Sequence, residues 1–271
     1  MHSIHIPPSP LANMPPWIDF HTHILDSPEL EHAAAESRAA HVSRWLVNSV
    51  DLNNLSAQTK TASSFPEAVV GVGWHPEQVI EISSEKIPST LKKFSSLVKK
   101  APYLGETGLD FLYGKTDAHH AAQKKVFSQF IEWSNEHEKM IQVHTRHAKQ
   151  ESLDLLAEKN AERVILHWFN GNKKQQELII RKKWVCTVGP TILNSPHVDK
   201  FIAAQPLELL GIETDSPIPF DGKPSSPAWI VHVARRVAEI KKCSVKDVQD
   251  AQHTIFSRFF PHLSLIPRAE K

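Results

Sequence analysis

The chain has 271 residues, of which 41% are hydrophobic, and its 31 basic residues nearly balance its 30 acidic ones. This balance excludes a global positive field that would draw the protein onto nucleic acid, so any affinity for phosphate must come from a local patch or a bound metal ion. Two cysteines are too few for a disulfide scaffold, and no apolar run approaches the roughly 20 residues that span a bilayer. We therefore expect a cytoplasmic protein with no membrane association.

The first sixteen residues differ in composition from the rest of the chain. They contain five prolines and little hydrophobic periodicity, which is typical of extended or mobile segments. We expect residues 1–16 to form a flexible, proline-rich tail, and we exclude His2 and His5 from any site. Residues 17–271 are expected to form a single TIM-barrel domain, because one α/β barrel commonly has about this length.

From Trp17 onward, short β-rich runs alternate with helical patterns. One helix is predicted over 117–138, where apolar residues recur at three- and four-residue spacing and Asp117 can cap the first turn. Strands too apolar to be half-exposed indicate a parallel sheet covered by helices. Eight such units favour a TIM-like (β/α)8 barrel over an open sheet. The predicted strands are 17–20, 42–47, 68–73, 101–106, 140–144, 163–167, 184–189 and 207–213.

Residues of metal-binding type fall at the carboxyl ends of five of these strands. They are His21 and His23 after the first strand, Glu106 at the end of the fourth, His144 of the fifth, His167 of the sixth, and Asp215 after the eighth. In a TIM barrel those ends converge on one face. Four histidines with two carboxylates exceed what one tetrahedral ion needs. We therefore predict two divalent metal ions (Mg²⁺, Mn²⁺ or Zn²⁺), with Glu106 able to bridge them.

Each of these residues also has a structural interpretation. The chain contains 17 histidines, and a lone histidine at a strand end is more often hydrogen-bonded structure than a ligand. The metal site is favoured because all six residues fall on the same predicted face. For His75, in the segment GVGWHPE, the sequence leaves open whether the side chain contacts substrate or only holds its loop.

Four further residues are candidates for substrate binding. Arg146 and Lys223 could hold non-bridging phosphate oxygens, although a solvated surface charge is at least as consistent with either sequence position. Trp74 and Trp168 stand beside proposed site residues and could stack a nucleobase, as proteins that grip single-stranded ends often do. The alternative is that each tryptophan packs in the core.

The segments that carry these residues resemble the motifs of the TatD family of metal-dependent DNases, in the same order. They are IDFHTH, GWHPE, GETGLDF, IQVHTRHA, ILHWFNG and IETDSP, and the resemblance covers about residues 17–260. It implies a TIM barrel, hydrolysis that depends on magnesium, manganese or zinc, and 3′-to-5′ exonuclease or related DNA-cleaving activity. It also implies the partition of the ligands: His21, His23 and Asp215 for one metal, His144 and His167 for the other, Glu106 as the bridge, and Glu213 behind the metals.

The chain departs from the family pattern at several positions. Trp74 and Trp168 stand where the family usually has smaller residues, and AQHTIFSRFF lacks the frequent asparagine before the last phenylalanine. These differences leave the predicted metal site intact and bear on the substrate. The chain could be a divergent family member, such as those encoded within bacterial anti-phage defence clusters of the Qat type. Its partners would then be proteins of a defence complex.

The predicted mechanism is hydrolysis by a water molecule that two cations activate. Asp215 is the preferred general base, with pure ligation as the alternative, and Glu106 sets the distance between the metals. The predicted partner is DNA with a single-stranded end. Two other functions stay open: an esterase or deacylase of the amidohydrolase type, acting for example on aminoacyl-tRNA, and a catalytically silent subunit of a complex.

Overall fold

A computed structural model of the chain describes residues 15–220 and 222–265. Eight parallel strands form the barrel, in chain order: β1 (Trp17–Thr22), β2 (Val42–Asn48), β3 (Ala68–Gly71), β4 (Leu104–Asp110), β5 (Ile141–Arg146), β6 (Val164–Leu166), β7 (Val185–Val188) and β8 (Leu210–Ile212). A short antiparallel hairpin, β9 (Pro219–Phe220) and β10 (Lys223–Pro224), follows β8. The prediction of a TIM-type barrel is confirmed.

Helices separate the strands and cover the barrel. In chain order they are α1 (Leu30–Ala39), α2 (Leu52–Ala62), α3 (Pro76–Ile80), α4 (Ile87–Val98), α5 (Asp117–Glu136), α6 (Lys149–Glu158), α7 (Lys173–Lys182), α8 (Asp199–Ala204), α9 (Ile230–Lys241) and α10 (Val245–Phe259). The predicted cap of α5 was wrong by one residue. Thr116, not Asp117, is the N-cap, and its hydroxyl accepts a hydrogen bond from the backbone N–H of His119 at 3.1 Å.

Two junctions join the strands into a ring. Neighbouring strands pair in the order β1-β2-β3 and β4-β5-β6-β7-β8. A parallel bridge between Val72 and Leu104 links the first group to the second. At the other junction the backbone N–H of Asp215 donates to the carbonyl of His21 at 2.9 Å. The segment after β8 is thereby fixed beside β1.

The amino-terminal end of the barrel is filled by apolar side chains. Ile18, Ile165 and Val185, all near strand starts, belong to one buried cluster with Phe256 and Phe259 of α10. This packing closes one end of the barrel with a helix. The opposite, carboxyl-terminal end is therefore where a site has room to form.

The fourth strand differs most from its predicted bounds. The sequence predicts 101–106, whereas β4 continues to Asp110 through the polar segment ETGLD. Gly108 makes this possible: its φ is +143°, and a Cβ there would lie 2.1 Å from the carbonyl oxygen of His144 on β5. Glu106 is consequently inside its strand, and β1 likewise extends to include His21.

Most of the predicted tail, residues 1–14, lies outside the described residues. Its last two residues contact α10: the Pro15 carbonyl accepts a hydrogen bond from Gln249 Nε2, and the Pro16 carbonyl accepts one from His253 Nε2 at 2.7 Å. Across 15–220 and 222–265, none of the helices has the length and apolar character that crossing a membrane requires.

Candidate metal centre

Seven side chains capable of binding a metal ion meet at the carboxyl-terminal end of the barrel. They form three overlapping groups in which the ligand atoms all lie within 4.8 Å of one another: His21 with His167 and Asp215, His21 with His23 and Glu106, and His75 with Glu106 and His144. The structure thus brings together all six residues predicted as metal ligands. His75 joins them as a seventh.

Glu106 occupies the middle of this cluster. Its Oε2 lies 3.2 Å from Nε2 of His23 and 3.5 Å from Nε2 of His21. Its Oε1 lies 2.8 Å from Nδ1 of His144 and 3.4 Å from Nε2 of His75. The side chain is 4% exposed. One carboxylate therefore presents one oxygen to each of two histidine pairs.

Asp215 closes the cluster on the side of β8. Its Oδ1 lies 3.6 Å from Nε2 of both His21 and His23, and its Oδ2 lies 3.8 Å from Nε2 of His167. The residue has a φ of +51°, a strained backbone conformation that is found disproportionately at functional sites. Its side chain is 12% exposed, against 4% for Glu106. Asp215 is therefore the more accessible carboxylate of the two.

His167 lies between the two halves of the site. Its ring stacks on that of His21, with centroids 3.5 Å apart and planes at 15°, and its Nε2 lies 3.9 Å from Oε1 of Glu106. The ring of His144 is farther away, with its centroid at 6.3 Å. The family resemblance pairs His167 with His144, whereas the geometry groups it with His21 and Asp215.

The hydrogen bonds behind two of the rings fit a bound cation. Nδ1 of His21 lies 2.6 Å from Oε1 of Gln142, and Nδ1 of His167 lies 3.0 Å from Oε2 of Glu213. With the ring hydrogen assigned to Nδ1 by these acceptors, each Nε2 presents a lone pair to the centre. Nε2 of His21 is 3.3 Å from Nε2 of His23. A cation among such facing donor atoms would satisfy all of them, so the residues fit a metal ion.

The other two rings are held differently. Nε2 of His144 lies 2.9 Å from Oδ2 of Asp110, which leaves Nδ1 turned towards Glu106. Nδ1 of His75 accepts a hydrogen bond from the backbone N–H of Glu77 at 3.3 Å and so caps α3. Nε2 of His75 faces Glu106, with Oε1 of that carboxylate 3.4 Å away. His75 thus holds its loop, one of the two roles that the sequence left open.

Burial keeps two of the histidines neutral. It lowers the pKa of His21 to about 4, with the neighbouring imidazole of His167 acting in the same direction. It lowers the pKa of His167 to about 3, although the charge of Glu106 opposes it. Both side chains are therefore unprotonated near neutral pH. Their Nε2 atoms are available as ligands without the loss of a proton.

Neighbouring carboxylates raise the pKa values of the other two histidines, His23 and His144. Burial would lower the pKa of His23, but Glu106 and Asp215 outweigh it and raise that pKa to about 9. Burial also opposes protonation of His144, and the hydrogen bonds to Asp110 and Glu106 raise its pKa to about 9. For Glu106, burial is outweighed by the charges of nearby histidines, so its pKa lies well below the usual range. Without metal, the cluster therefore balances the Glu106 carboxylate against protonated histidines, while burial raises the pKa of Asp215 well above its usual range.

Three buried residues behind the candidate ligands were missed by sequence reasoning. Gln142 and Asp110 contact His21 and His144 as described above. Asp19 accepts hydrogen bonds from the backbone N–H of Thr214 at 2.9 Å and from its hydroxyl, and burial raises its pKa to about 8. The available signal was the two-residue period of strands: Asp110 stands four residues after Glu106, and Gln142 two before His144, on the same strand faces.

Comparison with known proteins identifies the family. A family model described as TatD related DNase matches residues 18–261. The chain belongs to the TatD family. It is 27% identical over 228 residues to YabD of Bacillus subtilis, which is named as an uncharacterized metal-dependent hydrolase, and the match covers 81% of this chain and 88% of YabD. It is 26% identical over 195 residues to the human deoxyribonuclease TATDN3, covering 70% of this chain and 71% of the relative.

The fold comparison agrees. The crystal structure of YJJV, a TatD homologue from Escherichia coli K12, superposes with a TM-score of 0.81 at 22% identity, covering 90% of this chain and 98% of that one. This likeness bears on the fold alone. Membership of the TatD family makes the protein a metal-dependent hydrolase, and the likeness to this structure agrees with its TIM-type barrel.

In this TatD protein, Trp74 does not line the mouth of the barrel. Its side chain is 3% exposed and stacks on Phe94 of α4, with ring centroids 5.4 Å apart and planes at 21°. This burial favours the alternative that Trp74 packs in the core over the expectation that it could stack a nucleobase. The ring turns outward from the end of β3 into the layer between barrel and helices, where it packs as core.

The other three candidate substrate contacts lie at or near the mouth. Trp168 is half-buried with a φ of +43°, its indole N–H donates to the Thr191 hydroxyl at 3.0 Å, and it lines a cavity of about 230 Å³ beside the loop after β7. Arg146 is exposed at the end of β5, and Lys223 is exposed in the hairpin after β8. Their roles in substrate binding stay predictions.

Proposed function

We propose that this TatD protein is a deoxyribonuclease that hydrolyses phosphodiester bonds at a single-stranded end of DNA, in the 3′-to-5′ direction, with two divalent ions (Mg²⁺, Mn²⁺ or Zn²⁺). The observation that carries the proposal is the position of Glu106. Its two oxygens face two different histidine pairs, at 3.2 and 2.8 Å from their nearest nitrogens. A carboxylate so placed can bridge two ions, as phosphodiester-cleaving sites with paired metals require.

The remaining ligands divide around Glu106. In the proposal His21, His23 and Asp215 hold one ion and His144 holds the other. His167 completes the second set through Nε2, which lies 3.9 Å from the Glu106 oxygen that also faces His144. Its Nε2 is equally near Asp215, at 3.8 Å. His167 therefore stands within reach of either position.

Bound divalent ions would lower the pKa of a coordinated water and offset the charge that develops on the phosphate oxygens. The chain itself supplies the proton acceptor. As the water oxygen bonds to phosphorus and the bond to the leaving oxygen breaks, Asp215 takes the water's proton, and the leaving oxygen takes up a proton from solvent. Asp215 suits this role better than Glu106, because it is the more exposed carboxylate and its nearest ring nitrogens are 3.6 to 3.8 Å away.

The fourth strand also favours phosphodiester chemistry over that of other barrel hydrolases. Many binuclear amidohydrolases bridge their metals with a carboxylated lysine at this strand, whereas here Glu106 occupies β4 and contacts histidines through both oxygens. The similarity to a protein named as a deoxyribonuclease supports the same substrate class. The placement in an anti-phage defence complex stays a prediction.

The test is hydrolysis by the metal-loaded protein of single-stranded DNA labelled at either end. We expect mononucleotides to be released from the 3′ end, with a ladder of shortened products retaining a 5′ label. Glu106→Ala should remove this activity, and the exposed Glu132→Ala on α5 is the matched carboxylate control. Wild-type protein that leaves DNA intact with all three metals but cleaves an aminoacyl-tRNA or another acyl ester would overturn the nuclease proposal in favour of a deacylase.

A further inference from the structure

The loop after β4 presents an aromatic ring to solvent at the mouth of the barrel. Tyr113 is 49% exposed, the largest fraction among the large hydrophobic side chains that the described residues leave exposed. Such a ring contributes little to the core, since half of its surface stays in water. It is available for contact with a ligand.

The backbone of this loop is nevertheless firmly held. The N–H groups of Leu112 and Tyr113 both donate to Oδ1 of Asp110, at 2.9 and 3.0 Å. The N–H of Gly114 donates to the Asp110 carbonyl at 2.9 Å, and Phe111 stacks on His120 with ring centroids 3.8 Å apart. An exposed ring on an ordered loop costs little further entropy when it binds a ligand.

The same aspartate ties the loop to the metal centre. While Oδ1 of Asp110 accepts from the loop, its Oδ2 lies 2.9 Å from Nε2 of His144. Tyr113 is thus separated from a proposed metal ligand by two hydrogen bonds through one carboxylate. Its position relative to the reacting centre is set by that link.

Arg146 lies beside the Tyr113 ring. Its guanidinium carbon lies 5.5 Å from the centroid of the Tyr113 ring, and both side chains are exposed. Arg146 stands two residues after His144 on β5, so its charge is at the same edge of the mouth. A planar cation beside an aromatic ring combines the two contacts that grip single-stranded nucleic acid: base stacking and phosphate binding.

We propose that Tyr113 and Arg146 form a platform for single-stranded nucleic acid, in which the Tyr113 ring stacks one nucleobase and the Arg146 guanidinium binds a neighbouring phosphate. This inference rests on the proposed nuclease function and names the residues that hold the strand. The other aromatic candidates fit less well. Trp74 is buried, and Trp168 is half-buried, whereas Tyr113 is exposed.

The experiment compares Tyr113→Ala, Tyr113→Trp and Leu112→Ala on two substrates with Mn²⁺. One substrate is a single-stranded oligonucleotide, and the other is an oligomer of the same length built from tetrahydrofuran abasic units, a phosphodiester chain without bases or other aromatic rings. Leu112→Ala is the matched control, because Leu112 is a neighbouring exposed side chain without a ring, at 37% exposure. Loss of one stacked base should raise KM for the oligonucleotide about 5- to 100-fold in Tyr113→Ala.

We expect Tyr113→Trp to keep the wild-type KM for the oligonucleotide, and Leu112→Ala to keep wild-type kinetics on both substrates. The ratio of the Tyr113→Ala KM to the wild-type KM should be smaller on the base-free substrate than on the oligonucleotide. An abasic nucleotide at the contacted position should raise KM for the wild type but not for Tyr113→Ala. Equal oligonucleotide KM values for Tyr113→Ala and Leu112→Ala, in a protein that cleaves DNA, would overturn the platform alone. A wild type that neither binds nor cleaves the oligonucleotide would overturn both the platform and the nuclease.

Discussion

Asp110 and His144 lie side by side on neighbouring strands, with Oδ2 of the carboxylate 2.9 Å from Nε2 of the imidazole. This contact turns Nδ1 of His144 towards Glu106. Asp110→Asn should lower metal affinity by about 10- to 100-fold, the usual cost of losing a carboxylate behind a histidine ligand. Calorimetric titration with Mn²⁺ or Zn²⁺ measures it. Asp117→Asn, at an exposed position, is the control. Equal metal affinities in the two variants would show that Asp110 does not support metal binding.

Substitution of Gln142 should also lower metal affinity, in this case through His21. Its Oε1 accepts from Nδ1 of His21 at 2.6 Å, and its amide nitrogen donates to the Phe20 carbonyl at 2.6 Å. Gln142→Leu leaves a buried N–H and a buried carbonyl without these partners, so the apoprotein should lose about 1–3 kcal/mol of unfolding free energy. Metal affinity should fall by about 10- to 100-fold.

Gln142→Glu keeps the acceptor for Nδ1 of His21 and replaces the amide that donates to Phe20 with a carboxyl group of similar size. It therefore tests whether the acceptor for His21 is what metal affinity requires. We expect metal affinity to stay within a few-fold of wild type in this variant. Urea unfolding of the apoproteins and competition with a chelator give the two quantities. Wild-type affinity in Gln142→Leu would contradict the orienting role.

Metal binding should release protons and strengthen with rising pH. His23 and His144 have pKa values raised to about 9 in the metal-free cluster, so below that pH a metal must displace a proton from each. His21 and His167, with pKa values of about 4 and about 3, release none near neutrality. Affinity should therefore rise from neutral pH and level off near pH 9. Calorimetry in buffers of different ionisation enthalpy counts the protons, and a count of zero at neutral pH contradicts the scheme.

Trp74 provides a test of core packing against substrate binding. Because it stacks on Phe94 at 3% exposure, Trp74→Ala should lower the unfolding free energy by about 3–5 kcal/mol. Trp74→Phe, which keeps a ring at the position, should cost less and leave KM for DNA unchanged. Urea unfolding and oligonucleotide kinetics measure the two effects. A raised KM in Trp74→Phe with unaltered stability would restore the substrate role.

The sequence was sufficient to predict the barrel and the convergence of the candidate metal ligands at one end of it. Apolar runs alternating with helical patterns predict parallel strands, and the carboxyl ends of such strands meet at one face of a barrel. His21, Glu106, His144 and Asp215 could therefore be brought together without coordinates. That inference tolerates errors of several residues in the strand bounds, because it requires only that each residue lie near the carboxyl end of its strand.

The supporting contacts could not be predicted in the same way. Gln142 and His21 are 121 positions apart, and their contact depends on the register between β1 and β5 across the barrel interior. The extent of β4 was missed because the polar segment ETGLD is typical of a loop, and only the approach of Gly108 to His144 makes it a strand. The direction of the Trp74 ring depends on the position of α4, which no local pattern specifies.

The most direct test of the account is anomalous scattering from crystals grown with Mn²⁺ or Zn²⁺. Glu106 is proposed to bridge two ions, so two peaks about 4 Å apart should lie on either side of its carboxylate. One should be near the Nε2 atoms of His21 and His23, and the other near Nδ1 of His144. A single peak, with none within reach of His144 at saturating metal, would contradict the two-metal site.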